Sequence, residues 1–225
     1  MKPLQNYQIA IDGPAGSGKS TIAKLLAKKL SVLYIDSGSM YRAITLYLIN
    51  RQLLDLEEHF LKKQLKKIKI DFQLKNNNQR ILLNNIDVTE KIRTSQVNKN
   101  VSKISAIGVV RKELVERQQQ FAEVSSLVMD GRDIGTAVFP NAKIKIYLTA
   151  SSLVRAKRRK QDLQKIGEKI SIKELIKQIE CRDYLDSSRA ISPLVKAQDA
   201  ILIDTSELNI NEVINQITLL IPKEN

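Results

Sequence analysis

The sequence predicts an α/β fold, a five-stranded parallel sheet covered by helices on both faces, with a small antiparallel β insert and a helical lid. Three observations lead there. Short apolar runs at residues 8–12, 32–35, 126–130, 144–148 and 200–204 have the length and continuity of strands buried on both faces. Stretches of helical period separate most of them, and alternating strands and helices imply a parallel sheet with ligands at the carboxyl edge of its strands. Between about 57 and 96 the pattern changes to short strand-like pieces divided by Asn-rich turns, which reads as hairpins.

The elements follow in order. Residues 8–12 form a strand that stops at Gly13, and from Lys19 to Leu30 apolar residues recur at Ile22, Ala23, Leu25, Leu26 and Leu30, a helical spacing. A second strand at 32–35 runs into Asp36-Ser37-Gly38-Ser39, a turn and helix cap, and then a helix to about Arg51. In the insert, strands are expected at 69–74, 80–83 and 86–88, with turns at Asn76-Asn77-Asn78 and Asn84-Asn85. Helical periodicity then runs unbroken from about 97 to 123. Two helical segments that part near Ile166-Gly167 lie within 152–185, and a closing helix spans about 210–220. The domain plan is one domain over 1–225, with a core at 1–56, 97–151 and 190–225, an insert at about 57–96, and a lid with connecting helices at about 152–189.

Composition narrows the function. A chain of 225 residues, 43% hydrophobic and 27% charged, has a globular balance. No apolar run reaches the roughly 18 residues of a membrane-spanning helix, and Met1 to Tyr7 carries no secretory signal, so a cytoplasmic protein with no membrane partner is expected. One cysteine, Cys181, cannot pair within the chain and has no histidine beside it in sequence to activate it. The net charge of +13 attracts anions, but many lysines sit in pairs such as Lys62-Lys63 on a helix face, and aromatic residues for stacking on bases are few. A nucleic-acid partner is therefore not expected.

Gly13-Pro14-Ala15-Gly16-Ser17-Gly18-Lys19-Ser20 fits G-x-x-x-x-G-K-[ST], between a strand and a helix as that motif requires, and defines a P-loop NTPase fold. Its glycines let backbone N–H groups approach phosphate, and the helix aims the positive end of its dipole at the same charge. Lys19 is expected on the β- and γ-phosphates, while Ser20, with Thr21 as a weaker substitute, offers a hydroxyl to Mg2+ bound with ATP. Asp130 ends an apolar strand and is the best candidate to hold waters on that ion. Asp12 and Asp36 also end strands, and serve equally well as turn or helix caps.

Two further segments end strands on the loop's side of the sheet: Asp36-Ser37-Gly38-Ser39-Met40-Tyr41-Arg42 and Asp130-Gly131-Arg132-Asp133-Ile134-Gly135-Thr136-Ala137-Val138-Phe139-Pro140. With Arg182-Asp183-Tyr184-Leu185-Asp186-Ser187-Ser188-Arg189 and Pro193-Leu194, they closely resemble the bacterial cytidylate kinases over nearly the whole chain. The resemblance implies transfer of the γ-phosphoryl group of ATP to CMP or dCMP. Arg42, Arg132, Tyr41 and Arg189 would grip the acceptor phosphate, because guanidinium forks match its oxygens. Ser37 would line that pocket, Ser102, Arg111 and Asp133 would read the cytosine edge, and Arg182 and Asp186 would contact the sugar. Arg155, Arg158 and Arg159 fall on the family's mobile lid, with Arg158 expected on the donor's transferring phosphoryl group.

In that scheme Lys19, Arg132 and Arg158 carry catalysis by position and charge, since an ionised acceptor phosphate needs no nucleophile on the protein. The only histidine, His59, is expected on a helix surface. A monomer that handles only small molecules is expected. Two alternatives differ in kind, a phosphotransferase for UMP, AMP or a small metabolite, and an NTPase that binds nucleic acid.

Overall fold

The computed structural model describes residues 7–75, 78–165 and 167–221. The expected features at Met1 to Asn6, Asn76-Asn77 and Ile166 lie outside them. The chain separates into two compact units, one comprising residues up to 34 and from 119 onward, the other residues 35–118.

The first unit carries the parallel sheet. Its strands are β1 (Gln8–Asp12), β2 (Leu33–Asp36, which leads out of the unit), β6 (Leu127–Gly131), β7 (Ile144–Thr149) and β8 (Ile201–Asp204), in the order β2-β6-β1-β7-β8. β1 pairs in parallel with β6, Asp12 opposite Gly131, and with β7, Asp12 opposite Tyr147. From Ile9 to Asp12 and from Leu127 to Gly131 every residue is buried, so both faces of the central strands are covered, as their unbroken apolar character requires. Ile9, Ile11, Val128, Ile146 and Leu148 pack with Ile22 and Leu26 of α1 (Lys19–Leu30) and with Val213 and Ile217 of α8 (Ile210–Leu219). A separate small cluster of Ala156, Leu163, Leu175 and Ile179 joins α6 (Ser152–Lys165) to α7 (Ile172–Ser188).

The second unit contains α2 (Ser37–Asn50), α3 (Glu58–Leu65), the antiparallel strands β3 (Ile70–Lys75), β4 (Asn78–Leu83) and β5 (Ile86–Asp87), α4 (Ser95–Ser105) and the start of α5 (Gly108–Val124). The Asp36 carboxylate caps α2 by accepting the Ser39 N–H. Asn84 and Asn85 both lie in the left-handed region, as a two-residue hairpin turn demands.

Two local features depart from the sequence expectation. The single helical stretch from about 97 to 123 is two helices, because α4 ends at Ser105 and Gly108 starts α5. The Arg111 guanidinium donates to the Ser105 carbonyl (2.9 Å) and so satisfies an acceptor that the break leaves without a helical donor. Beyond β6, residues Ile134–Val138 form one wide π-type turn. Among the described residues, no helix is long and apolar enough to cross a membrane.

Candidate active site

The loop between β1 and α1 holds its peptide planes through its carbonyls. The Lys19 ammonium donates to the Pro14 carbonyl (2.7 Å), Arg155 to that of Ala15 (3.1 Å), and the Thr205 hydroxyl lies within bonding distance of that of Ser17 (3.1 Å). A trans peptide points its C=O and the following N–H in opposite directions, so a carbonyl held on one side presents an N–H on the other. Burial pushes the Lys19 ammonium well below the usual lysine range. The cations of Arg132 and Arg182 push the same way, while Asp130 and Asp12 oppose them. Lys19 is thus a buried cation within the field of two arginines, a charge pattern that an anion would relieve.

Ser20 Oγ donates to Asp130 Oδ2 (2.7 Å), and Tyr34 Oη donates to Asp130 Oδ1 (2.9 Å). A hydroxyl and a carboxylate side by side are hard oxygen donors and suit Mg2+, which takes few protein ligands and keeps waters and phosphate oxygens. The three strand-end carboxylates part company here. Asp36 is a helix cap, Asp130 faces Ser20, and Asp12 accepts from the N–H groups of Ile134 (2.8 Å) and Gly135 (2.7 Å).

Asp12 therefore pins the wide turn that follows Arg132 and Asp133. Lys145 adds a second tie by donating to the Pro140 carbonyl and to Asp199, and Gln119 a third by donating to the Val138 carbonyl (3.0 Å). Burial raises the Asp12 carboxyl to about 6, against the two backbone hydrogen bonds that favour its charge. The unfolded carboxyl titrates near 3.8, so between about pH 4 and 6 the folded chain holds more protons, and Asp12's contribution to stability falls as the pH rises through that window. Wild type should lose up to about 3 kcal/mol relative to Asp12→Asn between pH 4 and 7 in denaturant titrations. A difference that stays constant with pH would show that the carboxyl is not shifted.

The first unit brings five of the predicted acceptor residues into one ion-pair cluster. Arg132 Nε donates to Asp186 Oδ2 (2.9 Å), while Arg182 and Arg189 approach Asp186 at 3.9 and 3.8 Å. Arg189 also lies 3.9 Å from Asp133. Burial disfavours the charge on Asp186, but the cations of Arg132, Arg182 and Arg189 outweigh it and hold the carboxyl below the usual range. On the second unit, Arg42 donates to the Ile92 carbonyl (3.1 Å) and to Asn98 Oδ1 (2.6 Å). Arg111 is almost wholly buried and stacks its guanidinium over the Tyr41 ring at 5.3 Å. Ser37 is buried at the start of α2, and Ser102 is half-buried in α4.

On α6, Arg158 donates to Thr205 Oγ1 (3.0 Å) and to the Thr205 carbonyl (2.7 Å), while Arg159 is exposed. His59 and Cys181 are both exposed. Four contributors escaped the sequence reading: Tyr34, Asn98, Thr205, and Arg155 in its contact with the loop. Only Thr205 had a signal, as a hydroxyl directly after a strand's carboxyl end.

A parallel sheet with a phosphate loop between β1 and α1, and Ser20 against a strand-end carboxylate, defines a nucleotide-binding protein of the P-loop class. The family model for cytidylate kinase matches residues 9–223. The chain is 50% identical over 215 residues to a cytidylate kinase of Desulforamulus reducens, covering 96% of each chain. It is 48% identical to one of Fusobacterium nucleatum, covering 98% of this chain and 99% of that one. The chain belongs to the cytidylate kinase family and is a kinase. In fold it is similar to a solved but uncharacterised protein of Eubacterium ventriosum, with a TM-score of 0.52, 15% identity, and 96% and 97% of the two chains covered.

Proposed function

We propose that the enzyme transfers the γ-phosphoryl group of ATP to the phosphate of CMP or dCMP, giving ADP and CDP or dCDP, as a cytoplasmic monomer. The observation that carries this is the buried Lys19 ammonium bonded to the Pro14 carbonyl of the phosphate loop, together with the cluster of Arg132, Arg182 and Arg189 around Asp186. One group suits the donor's phosphates and the others suit an acceptor. The relatives' being cytidylate kinases supports CMP as the acceptor.

The loop from Gly13 to Thr21 takes the donor. Its N–H groups orient the phosphates, and Lys19 offsets the charge that develops on the transferred group. Ser20, with Asp130 behind it, would hold Mg2+, which when bound neutralises phosphate charge. Tyr41, Arg42, Arg132 and Arg189, with Ser37, take the acceptor phosphate. Arg182 and Asp186 take the sugar, and Ser102, Arg111 and Asp133 the cytosine edge. Asp133 accepts from the exocyclic amine that uracil lacks. Arg158, a turn beyond Arg155 on α6, leaves Thr205 for the phosphoryl group as the lid closes over the donor.

The test is ATP consumption across CMP, dCMP, UMP and AMP. CMP and dCMP should give a kcat/KM about a hundredfold above AMP, with UMP between, and Asp133→Ala should cut the preference for CMP over UMP about tenfold. UMP or AMP preferred by the wild type would overturn the acceptor assignment, and unchanged selectivity in the variant would remove Asp133 from base reading.

A further inference from the structure

Arg155 differs from the other two arginines of α6. Its side chain is only 8% exposed, and its guanidinium is committed to three acceptors. Nε donates to the Ala150 carbonyl at the end of β7 (2.9 Å), and Nη1 to the Ala15 carbonyl of the phosphate loop (3.1 Å) and to Asp183 Oδ2 on α7. The aliphatic stem takes part too, since a Cβ built on Gly16 would stand 3.1 Å from the Arg155 Cβ. The side chain thus packs under the Ala15-Gly16 peptide and bonds its oxygen.

That peptide's oxygen and the Gly16 N–H point in opposite directions. Holding the Ala15 oxygen therefore turns the Gly16 N–H away from Arg155, and a fixed N–H direction is what a phosphate-cradling loop requires of its donors. Only a planar fork reaches the strand end, the loop and α7 together, whereas an ammonium is a point charge on a flexible stem. Asp183 fixes the fork, and on the same helix Arg182 and Asp186 belong to the cluster around Arg132.

We propose that Arg155 is a positioning residue of the donor site rather than a lid group: it sets the Ala15-Gly16 peptide plane before nucleotide arrives, and Asp183 of α7 orients it. This goes beyond the phosphoryl-transfer scheme but rests on nucleotide binding at the loop. Arg155 touches no reacting atom.

The experiment uses the full chain with ADP and Mg2+ as the probe, a calorimetric titration, and the backbone amide resonance of Gly16 in the ligand-free protein. Arg155→Met should weaken ADP binding about tenfold and move the Gly16 resonance, as loss of a charge-assisted hydrogen bond predicts. Arg155→Lys should recover less than half of the loss on a logarithmic scale, and Asp183→Asn should cost about threefold. Should Arg155→Met fail to fold, Arg155→Lys decides alone. Lys or Met variants that bind ADP within twofold of wild type, with the Gly16 amide unmoved, overturn the proposal. A wild type that fails to bind ADP would instead sink the nucleotide-binding assignment, so the two failures are distinguishable.

Discussion

Lys19→Met is expected to lower kcat by about three orders of magnitude while leaving the fold intact. The two halves of that expectation come from the same surroundings. Lys19 is buried, and the cations of Arg132 and Arg182 add to burial in disfavouring its charge. In the ligand-free enzyme the ammonium is therefore a cost to stability, only partly offset by its bonds to the Pro14 carbonyl (2.7 Å) and the Ser17 hydroxyl (3.5 Å). Methionine keeps the aliphatic stem and removes the charge, so the melting temperature should stay level or rise. During transfer the balance reverses, because negative charge shifts onto the bridging and leaving oxygens where Lys19 reaches and water does not. ADP affinity should fall less than kcat, about tenfold, since the loop's N–H groups and the helix dipole remain. Steady-state kinetics with a parallel ADP titration separate the two effects. A variant that retains a tenth of wild-type turnover would remove Lys19 from the catalytic role.

What was legible in the sequence was contiguous. The strand, glycine-rich turn and helix from Gln8 to Leu30 form one uninterrupted pattern, and the structure places β1, the loop and α1 there. The hairpin at Asn84-Asn85 was legible for the same reason, since left-handed Asn-Asn is a local property. The break between α4 and α5 was not, because the apolar period of Val97, Val101 and Ile104 continues through Ile107, Val110 and Leu114 at near-helical spacing. The interruption rests on one glycine and on the Arg111 bond to Ser105. The wide turn at Ile134–Val138 is set by Asp12, 122 residues earlier in the chain. No window of sequence contains both ends of that bond.

The site follows the same rule. Arg132, Asp133, Arg182, Asp186 and Arg189 were named from segments resembling a family, and the structure joins them as one ion-pair cluster. All three strand-end aspartates follow apolar runs, so the preference for Asp130 at the ion rested on no partner that the sequence shows. Their partners separate them: a helix N-terminus for Asp36, a wide turn for Asp12, and the Ser20 hydroxyl for Asp130. Arg158 was preferred to Arg155 for the phosphoryl group, but nothing in the sequence separated their contacts on α6. Three residues apart on one helix, they reach different carbonyls, Ala15 directly and Thr205 in the other case.

Gly13→Ala is expected to be the most damaging single methyl in the chain, costing about 4 kcal/mol or more in stability, together with activity. Gly13 has φ +145, where an L side chain is strained, but strain alone is the smaller part. A Cβ there would stand 1.9 Å from the Leu148 carbonyl oxygen and 3.0 Å from its carbon, both backbone atoms of β7. β7 cannot move aside cheaply, because its other edge pairs with β8 through Leu148 opposite Ile203 and Thr149 opposite Asp204. The end of β1 must move instead, and it carries Asp12 and the phosphate loop. Gly167→Ala is the control that isolates the clash: its φ of +79 is also left-handed, yet nothing lies within 4 Å of a Cβ there. That variant should lose only about 1 kcal/mol and keep its turnover. In thermal melts the Gly13 variant should fall by roughly 8 to 16 °C and the Gly167 variant by no more than about 4 °C. Equal losses would mean that backbone strain, and not the approach of β7, requires glycine at the mouth of the phosphate loop.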